Sequence, residues 1–504
     1  MLAAVHSAAV LGIDAYDVTV EVDAATGLPQ FTIVGLPAGA VKESRERVGA
    51  ALINSGFAVP PRRITVNLAP ADVRKDGTAF DLPIALGILV ATKQLAPERL
   101  EAVAAVGELG LDGALRAVRG ALPIARRVAA QGGRTLILPP ANVPEASLVS
   151  AVRLAAPPTL AALVACLRAG RLPGVEPPPA PSRVDAEAPD FAEVVGQAGA
   201  KRALEIAAAG GHNVLMVGPP GAGKTMLARR LPGILPALSE AEALEVTAIH
   251  SVAGLVAPGA PLVLARPFRA PHHTISDAGL IGGGSPPRPG EVSLAHHGVL
   301  FLDELLEFRR HVVESLRQPL EDGRVTIARA AMTLTFPARF TLVGAMNPCP
   351  CGGAGDPARS CRCAAAEIVR YRARLSGPMT DRVDMHVHVG AVGVRALGDG
   401  TRGEGSAEIR ARVELARARQ RRRYRDIAGA VANAHAPPRW LDRHGYVEPA
   451  AREALAAAGE RLGFTARAYH RVLRVARTIA DLDASESIAP LHVGEAIAYR
   501  PVRS

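Results

Sequence analysis

Residues Gly218 to Thr225 read GPPGAGKT, a complete GxxxxGK[ST] pattern set between the apolar run Val214 to Val217 and the helix-forming stretch Met226-Leu-Ala-Arg-Arg230. A strand that ends in such a turn and restarts as a helix predicts an α/β core with a nucleoside triphosphate at its edge. Gly218, Pro219, Pro220, Gly221, Ala222 and Gly223 form a loop whose backbone N–H groups turn inward around phosphate oxygens, and the following helix adds its dipole. Lys224 neutralises the terminal phosphates and Thr225 offers a hydroxyl to Mg²⁺. The chain has five lysines among 58 basic residues, so a chance lysine at this position is rare.

A chain of 504 residues, 49% hydrophobic and 21% charged, is long enough for two to four globular domains. No leader-like segment and no apolar run near 18 residues is apparent, Leu82 to Thr92 coming nearest. A cytoplasmic protein without a membrane anchor is the expectation. The net charge of +10 is unevenly spread: residues 401 to 504 hold 19 Arg against 12 Asp plus Glu. That balance points to a polyanionic partner for the C-terminal part, while 3% aromatic residues leave few platforms for stacking bases.

The proline-dense stretch Arg171 to Pro189 predicts an extended linker, dividing residues 1–172 from the rest. Before it, Val18 to Val22, Phe31 to Val34 and Ile64 to Leu68 read as strands, and Val41 to Asn54 and Leu82 to Thr92 as helices: an α+β domain. After it, residues 190–397 carry strand-like runs at Val214 to Val217, Val299 to Leu302 and Phe340 to Ala345, separated by helices, as in a parallel sheet. Residues 398–504 form a third, helical region entered through Gly398 to Gly405.

Val299-Leu-Phe-Leu302 runs into Asp303-Glu304, an apolar strand ending in two carboxylates. In one domain with a phosphate loop, Asp303 is expected to hold Mg²⁺ through water and Glu304 to polarise the water that attacks the γ-phosphate. The strand ending at Ala345 leads into Asn347, an amide placed to sense that phosphate. Asn347 resembles the first sensor of AAA+ ATPases. The segments Ser376-Gly-Pro-Met-Thr-Asp-Arg382 and Thr465-Ala-Arg467 resemble the later arginine motifs of that superfamily. The resemblance makes Arg382 the finger for a neighbouring subunit's ATP and Arg467 the second sensor of the lid. An arginine suits both roles because its planar fork stays protonated and bonds two oxygens.

Longer stretches narrow the comparison: Phe31-Thr-Ile-Val-Gly-Leu-Pro37, Val41-Lys-Glu-Ser-Arg-Glu-Arg47, Pro61-Arg-Arg-Ile-Thr-Val-Asn-Leu-Ala-Pro70, Arg266-Pro-Phe-Arg-Ala-Pro-His-His-Thr274 and Pro289-Gly-Glu-Val-Ser-Leu-Ala-His-His-Gly298. Together they resemble the magnesium-chelatase-like AAA+ ATPases of the YifB/ComM type, from near Val5 to about Ile497. The resemblance implies a Lon-protease-like (ribosomal S5 domain 2-like) α+β N-terminal domain, an AAA+ core and a C-terminal helical lid in a hexameric ring. It also implies ATP and Mg²⁺ as ligands, single-stranded or branched DNA as partner, and branch migration during natural transformation as the task. Met379-Thr380 departs from the family's apolar pair ahead of the finger. Pro271 to Gly284, with His272, His273 and a Gly282-Gly-Gly284 turn, resembles the insert that faces the central pore.

A Lon-like domain raises peptidase chemistry, which needs a serine and a lysine base. Here Gly77-Thr-Ala-Phe-Asp81 places Ala79 at the serine position, and the apolar run Ala121 to Ile124 replaces the lysine. Lys75 and Thr78 are the nearby polar groups, so the expectation is a fold without peptidase activity.

Cys349-Pro-Cys351 and Cys361-Arg-Cys363 supply four thiols. They can hold tetrahedral Zn²⁺ and pin the loop after Asn347, or stay as reduced, metal-free thiols or form an occasional disulfide. Cys166, on the apolar stretch Leu160 to Leu167, is expected in the core. The expected function is an ATP-driven motor on DNA. A magnesium-chelatase-like ATPase subunit and a protein-remodelling chaperone are the alternatives, and the second lacks support from an aromatic in the insert.

Overall fold

The computed structural model describes residues 2–176, 189–256, 262–284, 287–329, 332–355, 360–392, 403–427 and 429–500. Most of the proline-rich stretch and the Gly-rich entry to the last region lie outside the described residues.

The first part is built on a seven-stranded mixed sheet in the order Gln30–Val34, Arg63–Ala69, Asp14–Ala25, Leu2–Leu11, Val103–Ala105, Thr135–Ile137, Arg153–Ala155. Strand Asp14–Ala25 buries Val18, Val20, Val22 and Ala24 and turns the residues between them outward, the period of two that puts one sheet face on a core. Helix Asp81–Ala91 lies against that face with every residue buried. Its one carboxylate, Asp81, accepts from Ser44 Oγ at 2.5 Å and from Arg47 Nε at 2.7 Å, which is what allows a charge into an apolar helix. The stretch Val41 to Asn54 is two helices, Gly39–Lys42 and Ser44–Asn54, meeting at Glu43. Cys166 is half-buried, not in the core: helix Leu160–Ala169 turns Leu160, Leu163, Val164 and Leu167 inward, and residue 166 falls beside that stripe.

The second part holds five parallel strands in the order Phe268–Arg269, Val299–Leu302, Thr341–Met346, Val214–Val217, Met385–His388. VLMV and VLFL are buried residue for residue, because helices cover both faces of the sheet. Strand Thr341–Met346 lies between the strand that feeds the phosphate loop and the strand that ends in the acids.

Two features were not read from the sequence. Arg324–Arg329 and Met332–Pro337 form an antiparallel hairpin, with Val325 and Ile327 inward; the alternation was legible but was not used. Gly282–Gly283 is a short strand paired with Arg288–Pro289, not a turn. Close approach explains the glycine at 282: its φ is +113° and a Cβ there would lie 2.6 Å from Arg288 O.

The third part is helical, with Ser406–Arg423, Pro438–His444, Pro449–Leu462, Ala466–Leu482 and Pro490–Ala498. Many arginines of its first helix are spent on the fold. Arg410 donates to Gly233 O, Arg417 to Ala208 O and Arg419 to Asp481 O, while Arg412 pairs with Glu205 and Arg423 with Asp481. The positive balance of this region is therefore a poor measure of charge offered to a partner. Among the described residues, no helix is long and apolar enough to cross a membrane.

Candidate functional site: a phosphate loop at one end of the sheet, arginines at the other

Strand Val214–Val217 delivers the loop, and helix Lys224–Ile234 carries it away. Gly218 is tied to the neighbouring strand by its N–H to Met346 O at 3.2 Å, and any Cβ there would sit 2.1 Å from Val389 O. Gly223 has φ +87°, a left-handed turn that aims the next N–H groups into the loop. Lys224 is buried, and its Nζ donates to Gly218 O at 2.7 Å, Pro219 O at 2.9 Å and Asn347 Oδ1 at 3.3 Å. Burial lowers its pKa while Asp303 and Glu304 oppose that shift, so an incoming phosphate would meet an ammonium with incomplete compensation.

Thr225 Oγ1 donates to Asp303 Oδ2 at 2.6 Å, which sets hydroxyl and carboxylate side by side as an oxygen pair suited to Mg²⁺. The next residue, Glu304, is exposed and has φ +51°, a conformation that costs a non-glycine residue of the order of 1 kcal/mol. The turn swings its carboxylate off the strand axis, where His273 Nδ1 stands 3.5 Å from Oε2. The structure thus brings Lys224, Thr225, Asp303 and Asn347 together at the strands' C-terminal ends, with Glu304 on the rim.

Two participants escaped sequence reasoning. Gln197 Nε2 donates to Ala222 O at 3.1 Å and to Gly390 O at 2.6 Å, bracing the loop from the start of helix Ala198–Gly210. In sequence His273 is half of a His-His pair; its contact to Glu304 follows from the short strand Phe268–Arg269 ending beside the acid strand.

Arg382 and Arg467 lie elsewhere. They share an 820 Å³ recess with Asn213, Phe340 and Asp384, residues that precede the parallel strands, and so stand at the opposite end of the sheet from this chain's phosphate loop. Arg382, expected as the finger for a neighbouring subunit's ATP, is buried in the single chain, donates to Pro378 O at 2.7 Å and is ion-paired with Glu321. Met379 fills the core beneath it, so the departure from an apolar pair leaves no gap. Arg467, expected as the second sensor of the lid, lies in the same recess as Arg382. Its helix, Ala466–Leu482, is held at this end by Arg471 Nη1, which lies 3.3 Å from Asp384 Oδ1, and Arg467 itself is exposed. Asp384 also accepts the Asn213 N–H at 2.9 Å; burial works against its charge, but these partners together with His212 hold its pKa down to about 2.

Among the described residues, two side-chain clusters bring metal-ligating residue types together. The four sulfurs of Cys349, Cys351, Cys361 and Cys363 lie within 4.8 Å of one another, with separations of 3.4, 3.6 and 3.7 Å among the first three. Four thiolates about 2.3 Å from one Zn²⁺ in a tetrahedron stand roughly 3.8 Å apart, so the donor set fits. Glu245, His296 and His297 form the second cluster. His296 Nδ1 accepts the Arg339 N–H at 3.0 Å, which leaves the proton on Nε2 to be donated to Glu245 at 2.9 Å. A neutral His296 then has no lone pair left for a metal.

Fold and site together define a phosphate-loop nucleotide-binding protein with the α/β core of the AAA+ ATPases. Residues 190–397 match the family model described as magnesium chelatase, subunit ChlI, residues 20–142 match that of subunit ChlI of Mg-chelatase, and residues 403–500 match its C-terminal model. Competence protein ComM of Haemophilus influenzae is 45% identical over 511 residues, 99% of this chain and 97% of its own. Protein YifB of Salmonella typhimurium is 43% identical over 507 residues, again 99% and 97%. The magnesium-chelatase 38 kDa subunit of Rhodobacter capsulatus is 27% identical over 176 residues, 31% of this chain and 50% of its own. The chain belongs to the YifB/ComM family of magnesium-chelatase-like proteins.

Proposed function

We propose that the protein is an ATP-hydrolysing motor of the ComM type that works on DNA as a closed ring, a hexamer, in recombination or transformation. The observation that carries the reading is the division of the site. Phosphate loop and acids stand at one end of the sheet, Arg382 and Arg467 at the other, so a complete ATP site needs the arginine end of a second copy.

In that site the loop N–H groups and Lys224 hold the phosphates. Thr225 and Asp303 would hold Mg²⁺, which would supply neutralisation of phosphate charge. Glu304 takes a proton from the attacking water, Asn347 positions that water, and the products are ADP and phosphate. Arg382 of the adjoining copy exchanges Glu321 for the γ-phosphate, and Arg467 adds a second positive charge. Zn²⁺ is assigned to the four cysteines. The first domain keeps its Lon-like resemblance without the chemistry, since Ala79 offers no nucleophile and Thr78 Oγ1 donates to Glu108 at 2.5 Å; we assign it a structural or DNA-contacting role, and the protein to the cytoplasm.

The chelatase reading is favoured by the family models, but the match to the 38 kDa subunit spans under a third of the chain. Steady-state hydrolysis by wild type and Glu304→Gln, each with no DNA, linear duplex or a four-way junction, decides between them. The motor requires wild-type activity stimulated most by the junction and lost in the variant. Hydrolysis indifferent to every DNA rejects DNA as substrate and shifts the assignment to chelatase-like or remodelling work.

A further inference from the structure

The cysteine cluster raises a question that the ATP site does not answer: what draws its thiols together? Cys351 and Cys361 are exposed, so burial does not gather them. Cys349 is buried, and its Sγ accepts the Ala354 N–H at 3.3 Å, an N–H···S bond that orients a thiolate. The segment from Cys349 to Cys363 contains no helix or strand among its described residues, so packing of regular elements does not set its shape either.

Residues 346 to 352, which lead into this segment and form its start, touch the phosphate loop three times. Met346 O receives the Gly218 N–H at 3.2 Å. Asn347 Oδ1 receives Lys224 Nζ at 3.3 Å. Between these, Gly352 turns at φ +77° with its N–H on Cys349 O at 3.0 Å, and its backbone lies so close to Pro220 that a Cβ would stand 2.6 Å from the proline Cδ. The start, crown and end of the loop are thus all contacted by residues 346 to 352. On the far side, Arg372 of helix Ala365–Arg372 donates to Pro348 O at 3.2 Å.

We infer that Zn²⁺ bound by Cys349, Cys351, Cys361 and Cys363 closes this segment into a knuckle that braces the phosphate loop through Gly352 and Pro220 and fixes Asn347 against Lys224. The inference rests on the zinc assignment and on the loop's role in holding ATP. The metal is remote from any reacting atom. It acts by removing freedom from an irregular loop that has to present a backbone surface to a proline ring, the same way a crosslink stiffens a segment that has no core of its own.

The test uses the full-length chain, with zinc and iron content by mass spectrometry and affinity for a fluorescent ATP analogue as separate readouts. Wild type should carry one zinc and negligible iron per chain. Cys351→Ser should lose the zinc and bind the analogue about tenfold or more weakly, since a displacement near 1 Å in a positioned site costs of that order. Gly352→Val keeps all four thiols and should keep the zinc, yet bind the analogue more weakly because its Cβ displaces Pro220. It decides the matter even where Cys351→Ser fails to fold. Zinc retained by wild type with analogue affinity unchanged in Gly352→Val overturns the brace and leaves zinc as a staple of the loop. Absence of zinc, or iron in its place, overturns the metal assignment. Failure of the wild type to bind the analogue overturns the ATP-site reading instead.

Discussion

The two ends of the five-stranded sheet differ in the kind of charge they gather and in how they satisfy it. At the C-terminal end a lysine is capped by backbone carbonyls and an amide, and a threonine hydroxyl rests on a carboxylate. The lysine's partners are neutral and can give way to a phosphate, while the hydroxyl and carboxylate are an oxygen pair suited to Mg²⁺. At the N-terminal end, guanidinium groups meet carboxylates directly, Arg382 with Glu321 and Arg471 with Asp384. One end is prepared to receive anions and the other already holds them. In the proposed ring, one subunit's phosphate-loop end and the next subunit's arginine end are the two halves of one site.

The largest effect is expected at the arginine end. Arg382→Ala should lower steady-state ATP hydrolysis by about a thousandfold with nucleotide affinity of the dispersed subunit unchanged, the scale expected when a finger is removed from a phosphoryl-transfer site. A loss of affinity instead would place Arg382 in the chain's own site. Glu304→Gln should cost about a hundredfold or more while retaining bound ATP, as for loss of a general base. Mixing the two inactive variants sharpens the point. In a ring assembled from equal parts, about a quarter of the interfaces pair an intact Glu304 with an intact Arg382, and that share of activity should return. No recovery would show that each subunit completes its own site.

The smallest effect concerns what holds the arginine end in place. Asp384 has a folded-state pKa of about 2 against an ordinary 3.8. A depressed carboxylate contributes stability that is present above its unfolded pKa and lost as pH falls through the folded one. Chemical denaturation followed from pH 5 to pH 2 should therefore show a loss of about 2 kcal/mol that Asp384→Asn does not show. An unchanged acid limb in the variant would remove Asp384 as the anchor of helix Ala466–Leu482.

How far the sequence reached depended on the range of the interactions involved. Lys224, Thr225, Asp303, Glu304 and Asn347 were legible because each sits at the end of a short apolar run and its neighbours in the chain set its direction. Arg382 and Arg467 were recognised as residues but not in their surroundings. Glu321 lies 61 positions before Arg382, and no local pattern reports such a pair. Gln197 reaches Gly390, 193 positions away, and was invisible for the same reason. The Arg-rich helix Ser406–Arg423 misled in the other direction. Composition counts its charges equally, whereas Glu205, Asp481 and several backbone carbonyls take up many of them inside the molecule.

Strand Thr341–Met346, inserted between the phosphate-loop strand and the acid strand, makes the sheet a ruler. Neighbouring strands lie about 4.8 Å apart, so the loop strand and the acid strand are offset by roughly 10 Å. Side chains bridge that span, Thr225 Oγ1 reaching Asp303 Oδ2 at 2.6 Å, and Asn347 follows the strand at its midpoint. Without the middle strand the loop strand and the acid strand would stand at half that distance, and the amide of Asn347 would have no strand to place it between them.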